Sequence, residues 1–150
     1  MLEKSLVFVK PPHTRLAGVI FKDLDQHGVR IITKFIESTP RKNIEEHYII
    51  HKGKPFYEYM CDFFVGKPLV LAVYQGEDII KTLIDAVGDK DPFKASGTTI
   101  RGKYGTDSLE VAISNKRPVE NVIHRSDSIQ EAEREINVWR NFLYPNVNSS

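Results

Sequence analysis

The chain has 150 residues, the size of one domain spanning 1–150 with a true hydrophobic core; 41% of them are hydrophobic and 27% charged, which excludes disorder. Twenty-one basic against 20 acidic residues leave a formal charge of +1, so there is no global basic field of the kind that coats nucleic acid. The lone Cys61 excludes an internal disulfide and suits a reducing cytoplasm, and the apolar runs at 6–9 and 68–74 are too short for a signal peptide or for the ~20 residues of a membrane helix.

In chain order, residues 5–9 read as a buried strand stopped by Lys10-Pro11-Pro12. Leu16, Ile20 and Leu24, four apart, predict a helix closed at His27-Gly28, with glycine in the left-handed cap conformation. Residues 29–36 are rich in β-branched side chains and form the next strand. Thr39-Pro40 reads as an N-cap with proline at the first helical position, opening a helix towards His51. A second helix begins near Pro55, with Phe56, Met60, Phe63 and Phe64 on one face. Residues 68–74 are the most continuously apolar run and predict a central strand. Ile80, Leu83, Ile84 and Val87 mark another amphipathic helix, ended by Gly88. From 89 to 119 no period is sustained, so a long functional loop is expected. Residues 119–123 resume as a short strand, and Ser128 with Glu131 fits a capping box ahead of the stripe Ile129, Ala132, Ile136 and Trp139. A tail runs from about 141, frayed at 146–150. The order predicts an α+β, ferredoxin-like βαββαβ sandwich: a four-stranded antiparallel sheet, helices on one face, and a long loop before the last strand.

No stretch matches a phosphate loop or a dinucleotide glycine fingerprint, since Gly53-Lys54 and Gly66-Lys67 both run into proline. His124, Ser126 and Asp127 stand too close in sequence to converge as a hydrolase triad. His47 and His51 have zinc-helix spacing but lack the adjacent general-base glutamate and a third ligand, so surface or hydrogen-bonded histidines fit better. Cys61, among Tyr59, Met60, Phe63 and Phe64, reads as a core thiol. His124 ends a strand beside a helix N-terminus, where amides and dipole favour phosphate, and Glu131 or Glu135 on that helix offers a carboxylate to hold one ring nitrogen. From 90 to 125 there are seven Lys or Arg against four Asp or Glu, a basic segment suited to phosphoryl transfer. A helix-capping histidine beside a solvated loop fits these features equally well.

The run Asn121-Val122-Ile123-His124-Arg125-Ser126-Asp127-Ser128, followed by Ala132-Glu133-Arg134-Glu135-Ile136, closely resembles the signature of nucleoside diphosphate kinases. The resemblance extends to 6–11, to Glu46-His47-Tyr48, to 51–57, to 68–76 and to Thr99-Ile100-Arg101-Gly102. It implies transfer of the γ-phosphate of a nucleoside triphosphate to a nucleoside diphosphate, ping-pong through a phosphohistidine, with Mg2+ carried by the nucleotide phosphates and no metal held by the protein itself. By match to the motif, His124 would be the nucleophile, Glu135 would orient it, Ser126 would hydrogen-bond near the reacting centre, and Tyr48 would line the site. Lys10 and Asn121 would reach ribose and phosphates, Arg101 would bind phosphate, and Phe56 would stack on the base. A homo-oligomer built from dimers is implied, in the cytoplasm, with neither nucleic acid nor membrane as partner.

The departures are local. Pro12-His13-Thr14-Arg15 replaces an Asp-Gly turn, Ile84 stands where a phosphate-binding arginine is usual, Lys90 stands for a threonine, and Arg125 for a small residue. An insertion lies between Gly102 and Asn121. Lys90, Lys94 and Arg125 are candidate replacements for the missing cation. Two other readings remain at this point: a catalytically weakened nucleotide-binding relative acting as a scaffold, favoured by Ile84, and an RNA-binding module, disfavoured by the charge balance and the lack of paired exposed aromatics.

Overall fold

The computed structural model describes residues 2–145; the frayed segment expected at 146–150 lies outside them. Four strands, β1 (Leu2–Val9), β2 (Val29–Ile36), β3 (Leu69–Glu77) and β4 (Ile123–Arg125), form one antiparallel sheet in the order β2-β3-β1-β4. The registers run from Leu2 opposite Glu77 to Val9 opposite Val70, and place Phe8 opposite His124. The helices are α1 (Ala17–Leu24), α2 (Arg41–His47), α3 (Tyr57–Phe64), α4 (Ile79–Val87), α5 (Ile100–Tyr104), α6 (Leu109–Ser114), α7 (Ile129–Val138) and α8 (Arg140–Leu143). None of the described helices is long and apolar enough to cross a membrane.

Helices cover both faces of the sheet, not one. The central strands β1 and β3 dictate this, because their apolar residues do not alternate with polar ones and each face needs cover. On one face Val7, Val9, Val70, Ala72 and Tyr74 pack against Ile20, Phe21 and Leu24 of α1 and Ile79, Leu83 and Val87 of α4. On the other, Leu6, Phe8, Leu69, Leu71 and Val73 meet Ile44, Cys61, Phe64, Trp139 and Leu143. Phe8 is the hub of that second layer: its ring lies 5.9 Å from Phe64 and 6.1 Å from Trp139, both edge-on, and stacks on His124 at 4.8 Å. The core therefore carries the imidazole directly.

Several expectations shift. The first helix stops at Leu24, and Gly28 is not in the left-handed region; a Cβ there would sit 3.0 Å from the Gln75 carbonyl oxygen as well as against the Ile79 side chain, so close approach of backbone favours the glycine. Gly88, with φ +89, does end α4 in a conformation glycine favours. Thr39 does not cap α2, because its hydroxyl donates to Lys67 O at 2.6 Å and Pro40 takes the cap position. The segment from 89 to 119 is not structureless; it holds α5 and α6, tied by Asp91, whose carboxylate accepts from the amides of Phe93 and Leu109. The last strand starts at Ile123 rather than at 119. Residues 140–143, at the start of the expected tail, form α8 with Leu143 buried.

Gly102 lies inside α5, where alanine ordinarily gains about 1 kcal/mol over glycine. Here a Cβ would sit 2.0 Å from the Ser96 carbonyl oxygen, a backbone atom. The clash outweighs propensity, so Gly102→Ala is expected to lower the melting temperature; a rise would contradict this packing.

Candidate active site

The residue before β4 is strained. Val122 is β-branched and fully buried, yet has φ +76, a conformation costing of order 1–3 kcal/mol. The surroundings hold it: Lys10 N donates to Val122 O at 2.7 Å, and Arg101 donates to Ile123 O at 2.8 Å and to Gly88 O at 3.2 Å. Lys10 Nζ donates to Asn121 Oδ1 at 2.7 Å, and Asn121 Nδ2 to Lys90 O at 2.9 Å. Four segments of the chain are thereby clamped around His124.

Ser128 caps α7 as predicted, its hydroxyl accepting from Glu131 N, and that start brings Glu135, two turns on, to face His124. His124 Nε2 lies 3.0 Å from Glu135 Oε1, and the same oxygen accepts from Ser126 Oγ at 2.7 Å. A carboxylate only accepts, so the imidazole proton sits on Nε2 and the lone pair on Nδ1 is left free. Burial, reinforced by Lys10, Arg125 and Arg101, holds His124 well below the usual histidine range, which keeps the ring neutral at pH 7. Ser126 is fully buried and also accepts from Leu6 N at 2.9 Å, so β1 fixes its hydroxyl.

A second histidine completes the constellation. His47 is buried, Trp139 Nε1 donates to its Nδ1 at 3.1 Å, and its Nε2 therefore carries the proton. That Nε2 points at Glu135 Oε2 from 4.0 Å, and the ring stands edge-on to His124 at 4.5 Å. Burial and the neighbouring His124 hold His47 neutral. Burial pushes the Glu135 carboxyl up, while His47, Ser126 and Arg134 draw it back down. Among the described residues, His47, His124 and Glu135 are the one cluster with metal-ligating proximity. Its nitrogens suit a borderline metal and not a hard, oxygen-seeking ion.

These side chains open onto a cleft of about 490 Å3. Lys10, Tyr48, Phe56, Lys90, Arg101, Asn121, His124 and Glu135 all line it, and Ser126 sits behind it. The structure thus brings together every site residue expected from the sequence. One wall is apolar, with Phe56, Met60 and Phe63 on α3 and its approach; helix α6 contributes Leu109 and Ile113. The segment around α6 is braced by Arg117, which grips Asp107 at 2.6 and 3.0 Å and holds its carboxyl down at about 2. Of the candidate replacement cations, Lys90 and Arg125 line the cleft and Lys94 does not; Ile84, half-buried on α4, also stays out of it.

An apolar wall, a row of cations and a neutral histidine with one free nitrogen suit a nucleotide and its phosphates. The profile of the nucleoside diphosphate kinase family matches residues 3–142. The chain belongs to that family. A nucleoside diphosphate kinase of Staphylococcus aureus is 32% identical over 142 residues, covering 93% of this chain and 89% of that one. Among solved structures, a nucleoside diphosphate kinase family protein from Babesia bovis superposes with a TM-score of 0.80 at 30% identity, covering 94% and 91% of the two chains. A transition state mimic of the Borrelia burgdorferi nucleoside diphosphate kinase, with bound vanadate and ADP, gives 0.83 at 24% identity over 95% and 90%, a likeness of fold.

His47, expected as a surface or hydrogen-bonded histidine, is hydrogen-bonded to Trp139, and its ring stands beside His124 in the cleft. Its partner Trp139 lies 92 residues away, so no local spacing announces the pair; membership of the Glu46-His47-Tyr48 block was the available signal.

Desolvation, helped by Arg101 and Arg125, pushes the Lys10 ammonium from its ordinary 10.5 down to about 7. Between those values the free protein has lost a proton that a phosphate-bearing ligand restores by favouring the charged form. Binding of ADP is therefore expected to take up protons in that window, measured by calorimetry in buffers of different ionisation enthalpy. Lys10→Met should diminish the uptake, and an unchanged uptake would contradict the assignment.

Proposed function

We propose that this nucleoside diphosphate kinase transfers the γ-phosphate through Nδ1 of His124. The observation that carries this reading is the hydrogen bond of His124 Nε2 to Glu135, which leaves Nδ1 unprotonated towards the cleft. In the first step the Nδ1 lone pair attacks the γ-phosphorus in line; the N–P bond forms as the bond to the β–γ bridging oxygen breaks, and the diphosphate leaves. In the second, an oxygen of the acceptor's β-phosphate attacks the same phosphorus and the N–P bond breaks. The imidazole keeps its Nε2 proton throughout. Phosphorylation makes the ring cationic, and Glu135, held by Ser126, balances that charge.

Lys10, Arg101 and Lys90 would neutralise phosphate oxygens, Asn121 would reach the ribose and phosphates, Tyr48 would close the site beside His124, and Phe56 would stack on the base. A stacked base offers its π-face, which every base has, so discrimination among bases is weak. The family are phosphotransferases that generally use a divalent cation; here Mg2+ would enter with the nucleotide and screen its phosphate charge. The cleft fits that role, because its inward carboxylates are committed: Glu135 to Ser126 and His124, and Glu131 to Arg134.

A dimer through the sheet edge is proposed as well. β2 is an edge strand exposing Val29, Ile31 and Phe35, an apolar strip that a second copy would cover. The free, buried Cys61 suits the reducing cytoplasm proposed as its compartment.

Labelling with γ-phosphate-labelled ATP and Mg2+, followed by a chase with GDP, tests the reading. The wild type is expected to carry acid-labile label that leaves as GTP, and His124→Ala to carry none. No label on a folded wild type that still binds ADP would overturn it in favour of a scaffold.

A further inference from the structure

Arg125 directly follows the proposed nucleophile, opposite Val7 on β4. Neighbours along a strand normally serve opposite faces, but β4 lies at the sheet edge, and both His124 and Arg125 reach the same cleft. The Arg125 side chain is 16% exposed, and its buried Nε has no hydrogen-bond partner among the described residues. Its guanidinium is instead paired with Asp127, whose side chain is 72% exposed.

Two of the other cations of the cleft are more committed. Arg101 spends two of its nitrogens on main-chain carbonyls, and Lys10 is held by Asn121. The other carboxylates are committed too, since Glu135 is buried between Ser126 and His124, and Glu131 is gripped by Arg134 at 2.7 and 3.3 Å. Asp127 is the carboxylate free to swing into solvent, and a surface ion pair of this kind is weak. A planar guanidinium takes a phosphate in the same fork geometry as a carboxylate, with a higher charge to meet.

We propose that Arg125 is a phosphate-binding residue and that Asp127 is its exchangeable counterion, displaced when the phosphates of a nucleoside di- or triphosphate enter the cleft. This rests on the kinase reading above and deepens it. Asp127 competes with the substrate for one cation, so removing its charge helps binding while removing the arginine harms it. The two residues, a single turn of chain apart, act with opposite sign.

Calorimetric titration of ADP and of adenosine into the wild type, Arg125→Ala, Arg125→Lys, Asp127→Asn and the Arg125→Ala/Asp127→Asn double variant tests this, with thermal melting to verify folding. Arg125→Ala should weaken ADP by tenfold or more, as loss of a charge-assisted contact does. Arg125→Lys should recover part of that loss, Asp127→Asn should tighten ADP severalfold, and Asp127→Asn should have no effect once Arg125 is gone. Adenosine, which lacks phosphate, should bind all variants alike. Unchanged ADP affinity in Arg125→Ala would overturn the proposal, as would weaker binding in Asp127→Asn, the mark of a merely structural pair. If Arg125→Ala does not fold, the lysine and asparagine variants carry the same test. Phosphate labelling of the wild type in parallel keeps the two readings apart: absent label with the opposite-signed ADP shifts defeats the kinase reading alone, and present label without those shifts defeats this one alone.

Discussion

The carboxylate of Glu135 is buried, and the geometry of the cleft follows from what is needed to keep it there. An isolated ionised carboxylate in a protein interior is prohibitively costly, so it needs donors. Oε1 has the Ser126 hydroxyl and the His124 ring, while the Nε2 of His47 stands 4.0 Å from Oε2, beyond hydrogen-bond reach. Each neighbour is fixed from behind: Ser126 by Leu6 N on β1, His47 by the Trp139 indole, and His124 by the face of Phe8. Losing a partner of this kind leaves an unsatisfied buried group, worth about 1–3 kcal/mol. The His124 ring is therefore oriented by the same contacts that close the second core.

Electrostatics makes the opposite demand on the other side of His124. Lys10, Arg101 and Arg125 crowd the cleft; burial and the neighbouring cations depress Lys10 and Arg101, and burial, reinforced by these cations, keeps His124 neutral. Such a cluster is unfavourable in the free protein and becomes favourable when a polyanion enters, which is how preorganised charge serves transfer of a phosphoryl group. The strained Val122 belongs to this arrangement, since its carbonyl is tied to Lys10 and its neighbour's to Arg101.

Much of this was legible because long elements with strong patterns bury whole faces. The continuous apolar runs of β1 and β3, the stripe on α4 and the Ser128 cap are local signals, and the motif from Asn121 to Ser128 carried the site. Cover on both faces was not legible, because a fully apolar strand does not say which neighbours it meets. Helices α5 and α6, five and six residues long, are too short to show a period; the Thr99 hydroxyl caps the first, and the Ser108 hydroxyl and the Asp91 carboxylate accept amides of the second. The late start of β4 reflects the backbone of Val122, whose left-handed conformation no propensity of valine would suggest. Gly28 looked like a cap and proved to be a close contact, and the His47–Trp139 pair is a purely tertiary fact.

The account stands on one atom. If Glu135 holds the Nε2 proton of His124, the phosphate in the covalent intermediate must reside on Nδ1. Phosphorus and nitrogen NMR of the 15N-histidine-labelled, phosphorylated protein reads this directly. All phosphate on Nδ1 of His124 is the predicted result; phosphate on Nε2, or on any other residue, would contradict it.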